Sequence, residues 1–190
     1  MEFKETYLPG VFIVEATAKH DERGFFARIF CEDEFSAAGI NFKIKQINNS
    51  LSKKAGTLRG LHYQAAPYGE DKFLRCVFGS VADIVVDLRP GSPKFKEAIV
   101  EVLSATNRRA IFIPKGCAHG FMTLEENSEV IYASSSAYSK GSERILRWND
   151  PVLNLPLPMS PQILSEKDQT APDFQEDTHG SGYQFIRNQK

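Results

Sequence analysis

The sequence contains only three cysteines and no long apolar run. Cys31, Cys76 and Cys117 are far apart and form no CxxC pair, so we interpret them as reduced, mostly buried thiols. The first ten residues, MEFKETYLPG, lack the basic flank and apolar run of a signal peptide. No apolar run reaches the length that a membrane-spanning helix needs. These absences predict a cytoplasmic protein that does not enter a membrane.

The sequence also lacks an excess of charge of either sign. It has 23 Lys and Arg against 24 Asp and Glu, a formal net charge of −1. No basic field therefore indicates a nucleic acid or a membrane surface as partner. At 190 residues and 42% hydrophobic content, the chain is long enough for one domain with its own core. We predict that domain over residues 1–170, followed by a polar tail over residues 171–190, which we interpret as flexible.

Short runs rich in Val, Ile and Phe alternate with Gly, Pro, Asn and charged residues, which predicts an all-β sandwich or barrel. The runs are VFIVEAT, GFFARIF, FLRCVFG, ADIVVDL, AIVEVL, AIFI, GFMTL and EVIYASSS. Short helices are predicted at CEDEFSAAG, where Gly39 would occupy the C′ position, and at SEKDQ, where Ser165 would be the N-cap. After Trp148 four prolines exclude a long regular element.

Two stretches, GTLRGLHYQ and IPKGCAHGF, resemble the two half-motifs of the cupin superfamily, which are small jelly-roll β-barrels. Metal-binding cupins carry H-x-H in the first half-motif, but this chain reads HYQ, with Gln64 at the second position. A neutral amide is a poor ligand for a transition metal. Only His62 and His119 remain, fewer than the three protein ligands of a typical catalytic zinc site. We therefore expect a cupin cavity without a metal.

His62 needs another role in such a barrel. Taken alone it is most simply a buried histidine with its hydrogen bonds satisfied. Four polar residues on the same stretch change this interpretation: Arg59, Gln64, Lys72 and Arg75. Burying them is costly unless a ligand forms hydrogen bonds or ion pairs with them. Strand alternation can turn His62 and Gln64 toward one interior. A polar pocket inside the barrel is therefore predicted as a binding site.

Nine motifs together resemble one family, the dTDP-4-dehydrorhamnose 3,5-epimerases, and cover about residues 7–170. They are DERGFF, QINNS, LRGLHYQ, KFLRCVFG, DIVVDLRPGSP, IPKGCAHGF, EVIYASSSAYS, SERILRWNDP and LSEKD, in the expected order. The resemblance implies inversion at C3 and C5 of a nucleotide-linked 4-keto-6-deoxyhexose without a cofactor. The C4 carbonyl acidifies the neighbouring C–H groups, so each inversion needs a base, an acid on the opposite face and positive charge near the enolate oxygen.

The resemblance implies four catalytic residues. His62 matches the base, and Asp168 the aspartate that orients its imidazole. Tyr132 matches the proton donor, and Lys72 the group that stabilises the enolate oxygen. Without the motifs, the simpler interpretations are an exposed acid on a short helix for Asp168, a packed strand tyrosine for Tyr132 and a solvated surface lysine for Lys72.

The resemblance also implies substrate contacts at Gln46, Asn48, Arg59, His119, Tyr138, Glu143 and Lys167. Basic side chains among them suit a diphosphate. Arg23 matches a residue that reaches the neighbouring subunit's site, so a homodimer is implied. One position departs from the family, because Arg28 in RGFFAR stands where many members have a base-binding glutamate. Arg28 either relaxes the choice of nucleotide, since it offers donors only, or turns outward or pairs with Glu32 or Glu34.

Three other functions stay open at this point. The first is a related epimerase that inverts C3 only or uses another nucleotide. The second is a sugar-binding cupin without activity, which the acid and base together disfavour. The third is a metal-dependent cupin, which Gln64 disfavours.

Overall fold

Two antiparallel sheets face each other in the computed structural model, which describes residues 1–186. One sheet has the order β1 (Glu2–Glu5), β2 (Phe12–Glu15), β10 (Ala110–Ile113), β7 (Lys72–Phe78), β12 (Ser128–Ser134) and β5 (Gln46–Ser52). The other has the order β13 (Glu143–Ile145), β6 (Leu58–Gln64), β11 (Cys117–Thr123), β8 (Ser80–Asp87) and β9 (Ala98–Ser104). A separate hairpin is formed by β3 (Lys19–Asp21) and β4 (Gly24–Phe26). The predicted all-β sandwich is confirmed.

The main core lies between the sheets and shows the alternation expected of strands. In β8, Val81 and Val85 pack in the core that both sheets share, whereas Ile84 and Val86 pack on the opposite face. All eight residues of β8 are buried, so both faces of this strand are covered. Asp83 has the same parity as Val81 and therefore points between the sheets.

The outer face of each sheet is covered by a different segment. The proline-containing stretch after β13 lays Trp148, Leu153 and Leu155 over the five-stranded sheet. Three short helices complete the fold: α1 (Glu32–Ala37), α2 (Glu166–Gln169) and α3 (Glu176–His179). Helix α1 packs Phe35 against aromatic side chains on the outer face of the six-stranded sheet.

Both sequence-predicted helices are confirmed with their end signals. Helix α1 is followed by Gly39 at φ +80°, a conformation that glycine adopts without steric cost. Helix α2 is capped by Ser165, whose Oγ accepts the backbone N–H of Asp168 at 3.1 Å. This cap matters for function, because it fixes the first turn of the helix that carries Asp168.

The segment that we interpreted as a flexible tail contacts the barrel over its described part. Phe174 and His179 are buried, and the Ser181 hydroxyl, fully buried, donates to the carbonyl of Leu88 at 3.1 Å. The Tyr183 hydroxyl accepts the backbone N–H of Gly69 at 2.6 Å. Residues 187–190 of the predicted tail lie outside the described residues, and the boundary at residue 170 stays a prediction.

All three cysteines are free, as predicted, and two of them, Cys76 and Cys117, are buried. Burial raises the pKa of the Cys117 thiol to about 12, so this thiol is held in its protonated form. No helix within residues 1–186 has the length and apolarity to cross a bilayer.

Candidate active site

A bulge in β6 brings Arg59 and His62 to the same side of the sheet. His62 pairs with His119 of β11, whereas Arg59 pairs with Phe121, so three residue steps on β6 match two on β11. A regular strand would place residues three apart on opposite faces, and the extra residue of a bulge removes that difference. Both Arg59 and His62 therefore line one cavity.

Two glycines allow β6 and β11 to approach closely at this bulge. A Cβ on Gly60 would lie 2.6 Å from the Cα of Gly120, and a Cβ on Gly120 would lie 2.7 Å from the carbonyl oxygen of Arg59. Either contact is far shorter than van der Waals distance, so side chains are excluded at both positions. The glycines of the RGLH and AHGF motifs thus place His62 directly beside His119.

His62 is oriented by a buried carboxylate. Its Nε2 lies 2.6 Å from Oδ1 of Asp168, and the Asp168 side chain is only 4% exposed. Burial raises the pKa of Asp168, but hydrogen bonds from His62 and Ser165 outweigh burial and leave that pKa below its ordinary value. An ionised Asp168 holds the proton on Nε2, which leaves the lone pair on Nδ1.

A second buried pair lies next to the first. His119 Nε2 is 2.9 Å from Oδ2 of Asp83, and the Asp83 side chain is fully buried. Burial raises the pKa of Asp83, with His119 and the Lys72 charge opposing that effect. The other oxygen, Oδ1, has no hydrogen-bond partner within the described part of the chain. His119 is thus fixed with one ring nitrogen engaged in the barrel wall.

The six-stranded sheet supplies the opposite wall of the cavity. Tyr132 of β12 lies opposite Leu74 of β7 and opposite Asn48 of β5. Burial raises the pKa of the Tyr132 phenol, and the charge of Glu70 raises it further, while Arg59 opposes both effects. A tyrosine whose pKa is raised is protonated at neutral pH and can donate a proton.

Lys72 begins β7 on the same wall. It is buried, and its Nζ lies 3.0 Å from Oε1 of Glu70. The alternative of a solvated surface lysine is therefore wrong. Asp168 is likewise not an exposed acid, although it does lie on the short helix α2.

The two walls enclose a cavity of about 460 Å³, within the size range of small-molecule sites. Its lining is mostly polar and combines both sheets: Gln46, Asn48, Asn49, Ser50, Arg59, His62, Glu70, Lys72, Leu74, His119, Phe121, Tyr132, Tyr138 and Glu143. No group of three or more His, Cys, Asp or Glu residues that could hold a metal ion is found in residues 1–186.

A network of side chains forms the rim of the cavity. Glu143 accepts a hydrogen bond from the Tyr138 hydroxyl at 2.9 Å and pairs with Lys167 Nζ at 2.6 Å. Burial raises the pKa of Glu143, but its bonds to Lys167 and Tyr138 outweigh burial and lower that pKa overall. Gln46 accepts the backbone N–H of Tyr138 at 3.3 Å. These contacts connect β5, β13 and helix α2 to the loop that carries Tyr138.

Gln64 and Arg75 do not line the cavity, contrary to the sequence-based expectation. The Gln64 amide donates to the carbonyls of Tyr68 and Ala137 and accepts from the backbone of Ser139, so it holds the loop that carries Tyr138. Successive side chains of a strand face opposite ways, and Leu74 faces the cavity. Arg75 therefore lies on the outer face of β7, beside Arg108 in a small surface hollow.

Arg23 and Arg28 lie outside the cavity of their own chain. Arg23 is in the turn of the β3–β4 hairpin, paired with Asp21 at 2.6 Å and 85% exposed. Arg28 pairs with Glu34 at 2.9 Å, which is one of the two arrangements considered for it. Glu34 also accepts the amino group of Met1 at 2.6 Å.

Sequence reasoning missed two acids of this site. Glu70 stands two residues before Lys72, in a loop for which the sequence carries no sign of burial. Only the structure shows that it lines the cavity and pairs with Lys72. Asp83 could have been found from strand parity, because a carboxylate between Val81 and Val85 in an apolar strand must face the core and needs a partner.

A jelly-roll sandwich whose polar cavity holds a carboxylate-paired histidine on one wall and a tyrosine on the other is the framework of a cupin-type enzyme. The family model for dTDP-4-dehydrorhamnose 3,5-epimerase matches residues 5–176, and the chain belongs to that family. It is 43% identical to the dTDP-4-dehydrorhamnose 3,5-epimerase of Shigella flexneri over 169 residues, which cover 88% of this chain and 93% of the relative.

Solved structures give the same result. The crystal structure of dTDP-4-dehydrorhamnose 3,5-epimerase from Elizabethkingia anophelis superposes with a TM-score of 0.88 at 38% identity, covering 94% of this chain and 98% of that one. A dTDP-6-deoxy-D-glucose-3,5-epimerase from Legionella pneumophila, in complex with dTDP-4-keto-L-rhamnose, gives 0.84 at 34% identity, covering 92% and 98%. These likenesses extend over nearly the whole chain.

Proposed function

We propose that this protein inverts C3 and C5 of dTDP-4-dehydro-6-deoxyglucose to give dTDP-4-dehydrorhamnose, without a cofactor. The observation that carries the proposal is the placement of the His62–Asp168 pair on one wall of the cavity and Tyr132 on the other. Inversion at carbon requires proton removal on one face of the sugar ring and proton delivery on the other. Few binding functions need that arrangement.

In this mechanism His62 is the base. Nδ1 accepts the proton from C3 or C5, and the electron pair of the broken C–H bond moves into the enolate at C4–O4. Asp168, ionised and 2.6 Å from Nε2, stabilises the imidazolium that forms. General-base catalysis of this kind contributes about 10²–10⁴-fold to the rate.

Tyr132 is the acid, and Lys72 stabilises the charge on the enolate oxygen. The Tyr132 hydroxyl delivers its proton to the carbon from the face opposite His62, and the electron pair returns from the enolate to that carbon. The buried ammonium of Lys72 is already in place before charge develops, and such prearranged charge is usually the largest contribution to catalysis. Solvent and the imidazolium then restore both groups.

The remaining polar residues are proposed to bind the nucleotide sugar. Arg59 has one guanidinium edge tied to Ser52 Oγ at 3.1 Å, which fixes its position at the cavity wall. Lys167 lies at the rim beside Glu143. These two cations suit the diphosphate. Gln46 and Asn48 on β5 offer the amide groups that can bind a base, and His119 and Tyr138 complete the sugar pocket.

The proposal includes a homodimer in which the β3–β4 hairpin reaches the other subunit's cavity. The hairpin exposes Phe25 by 48% and Phe26 by 73%, and its Arg23 lies outside the cavity of its own chain. Large exposed aromatic residues on a projecting element indicate a contact surface. A cytoplasmic location is part of the same proposal, and the three free thiols support it.

The homodimer is tested by complementation between two inactive variants. Arg23→Ala loses the hairpin contact, and His62→Ala loses the base. In a mixed dimer one site receives an intact His62 and an intact Arg23, so mixing after joint refolding should restore about a quarter of wild-type activity. A mixture no more active than the separate variants would contradict the shared site.

The activity itself is tested with dTDP-4-keto-6-deoxyglucose in heavy water, with deuterium counted at C3 and C5 by NMR. We expect deuterium at both carbons together with formation of the rhamno-configured product. Deuterium at C3 alone would establish the C3-only alternative. Tight binding of dTDP without any exchange would instead indicate a sugar-binding protein.

A further inference from the structure

Glu70 is a charged residue of the cavity to which neither the motifs nor the mechanism above gives a role. Its side chain is 13% exposed and lines the cavity, and its Oε1 lies 3.0 Å from Lys72 Nζ. A carboxylate is an unexpected neighbour for a diphosphate ligand, because the two repel. We therefore expect buried Glu70 to act near the sugar and not near the diphosphate.

The backbone on both sides of Glu70 is anchored. The preceding residue, Gly69, donates its N–H to the Tyr183 hydroxyl at 2.6 Å, and a Cβ at Gly69 would collide with the Tyr183 ring. The following residue, Asp71, donates its N–H to Ser135 Oγ at 2.8 Å and accepts the N–H of Lys115 at 2.9 Å. Glu70 is thus held in one place by contacts to three other segments.

Lys72 and Tyr132 are diagonal neighbours on the inner face of the six-stranded sheet. Lys72 pairs with Ser134 and Leu74 pairs with Tyr132 across β7 and β12, so all four share one face. Diagonal neighbours in antiparallel sheets lie about 7–8 Å apart, within reach of long side chains. Glu70 is bonded to Lys72 and lines the same cavity as Tyr132, and its charge raises the pKa of that phenol.

We propose that Glu70 is a positioning residue for the epimerisation, which fixes the Lys72 ammonium beside the proton donor Tyr132. The inference rests on the proposed function. Without Glu70 the four-carbon side chain of Lys72 would sample several rotamers, and the enolate oxygen would lose its prearranged cation. Tyr132 would also lose the negative charge that opposes its ionisation.

The protonation state of Tyr132 depends on every titratable group around it. Those that line the cavity are Arg59 and His62 from β6, Lys72 from β7, His119 from β11, Glu143 from β13 and Tyr138 and Glu70 from the adjoining loops. Burial and Glu70 raise the pKa of Tyr132, and Arg59 lowers it. Removing the Glu70 charge therefore lowers the pKa of Tyr132, so the acid form is lost at a lower pH.

The test compares wild type with Glu70→Gln, Glu70→Asp and a control, Glu126→Gln. Glu126 pairs with Lys54 on the surface at 60% exposure, so its variant makes the same change in net charge away from the cavity. For Glu70→Gln we expect kcat to fall by roughly tenfold or more, because misplacing a reacting group by about 1 Å costs up to ~10²-fold. The alkaline limb of the kcat profile should also move to lower pH.

Glu70→Asp separates position from charge. It keeps the carboxylate but is one methylene too short for the contact with Lys72, so kcat should fall while the alkaline limb stays near that of wild type. If Glu70→Gln kept wild-type kcat and pH profile, or if Glu126→Gln matched its losses, the positioning role would be wrong. Were Glu70→Gln unfolded by thermal melting, an unchanged kcat in Glu70→Asp would overturn the proposal. A wild-type protein that gave neither exchange nor inversion would instead refute the proposed function.

Discussion

His62 and Tyr132 line one cavity from opposite sheets of the sandwich. His62 is carried by β6 of the five-stranded sheet and Tyr132 by β12 of the six-stranded sheet, so in the proposed mechanism a sugar ring between them would meet the base on one face and the acid on the other. The separation is a property of the fold, since no movement within one sheet could bring both groups to the same wall.

Replacing His62 by alanine removes the base. We expect kcat to fall by at least ~10²-fold, the usual contribution of a general base, while affinity for dTDP changes little because Arg59 and Lys167 remain. Turnover measured by NMR and dTDP binding measured by calorimetry test this directly. Near-normal turnover would remove His62 from the mechanism.

Tyr132→Phe removes the acid but leaves the base. Proton removal by His62 can still occur and be reversed with solvent deuterium, so exchange at C3 and C5 should survive better than net inversion. The measurement is the ratio of deuterium incorporation to product formation in heavy water. Equal loss of both would argue against Tyr132 as the donor on the far face.

Asp168 should make folding stability depend on pH at the acid end. Its pKa is below the ordinary aspartate value of 3.8, so ionised Asp168 stabilises the folded state above that pH, and this contribution is lost as the pH falls through the folded pKa. Between the two pKa values the slope of the free energy of unfolding should approach about 1.4 kcal/mol per pH unit for this one group. Urea melts of wild type and Asp168→Asn test this when they are measured from about pH 2 to about pH 5, the range in which the carboxylate takes up its proton. Parallel curves would contradict it.

Exhaustive chelation should leave activity unchanged. His62 and His119 each have Nε2 engaged with a carboxylate, and Gln64 is bonded to the loop around Ser139. The residues that form a metal site in other cupins are therefore committed to different partners. Activity measured after dialysis against EDTA, with and without added divalent ions, checks this. Inactivation that a divalent ion reverses would overturn the proton-transfer mechanism as written.

The sequence predicted much of this fold because its strands are short apolar runs bounded by turn residues and its helix ends carry Gly39 and Ser165. Strand β5 was missed, since QINNSLS turns polar residues into a ligand cavity and apolar residues such as Ile47, 64% exposed, outward. This inverted pattern does not resemble a strand that packs on a core. Binding sites are where local rules are expected to fail.

The sequence likewise predicted one part of the candidate site and not the other. The motifs identified His62, Tyr132 and Lys72, and all three line the cavity. Period-2 alternation alone would have separated Arg59 from His62 and would have turned Gln64 into the cavity. Only the bulge opposite Gly120, which depends on pairing between strands distant in sequence, places Arg59 correctly. Such long-range register is not visible in a single sequence.

Nucleotide selectivity is the final prediction, and it depends on Arg28. The guanidinium of Arg28 is paired with Glu34 on helix α1, and we propose that recognition of the base is left to Gln46 and Asn48, which line the cavity. Arg28→Ala should therefore change kcat/KM for the dTDP sugar by less than about threefold, because it removes only an exposed ion pair, worth ~0.2–1 kcal/mol of folding stability, and no proposed contact with the substrate.

The comparison of nucleotides completes this test. If Gln46 and Asn48 recognise thymine without Arg28, the wild type should prefer the dTDP sugar over the UDP- and CDP-linked 4-keto sugars by more than ~10³-fold, or about 4 kcal/mol. Gln46→Ala should then erode this preference, whereas Arg28→Ala should leave it intact. Turnover of the UDP or CDP sugar within roughly tenfold of the dTDP sugar, a gap of ~1.4 kcal/mol, would show instead that this chain has relaxed its choice of base. Kinetics with the three sugars, measured on wild type and both variants under identical conditions, decide between these outcomes, because each variant removes a different one of the three side chains considered for the base.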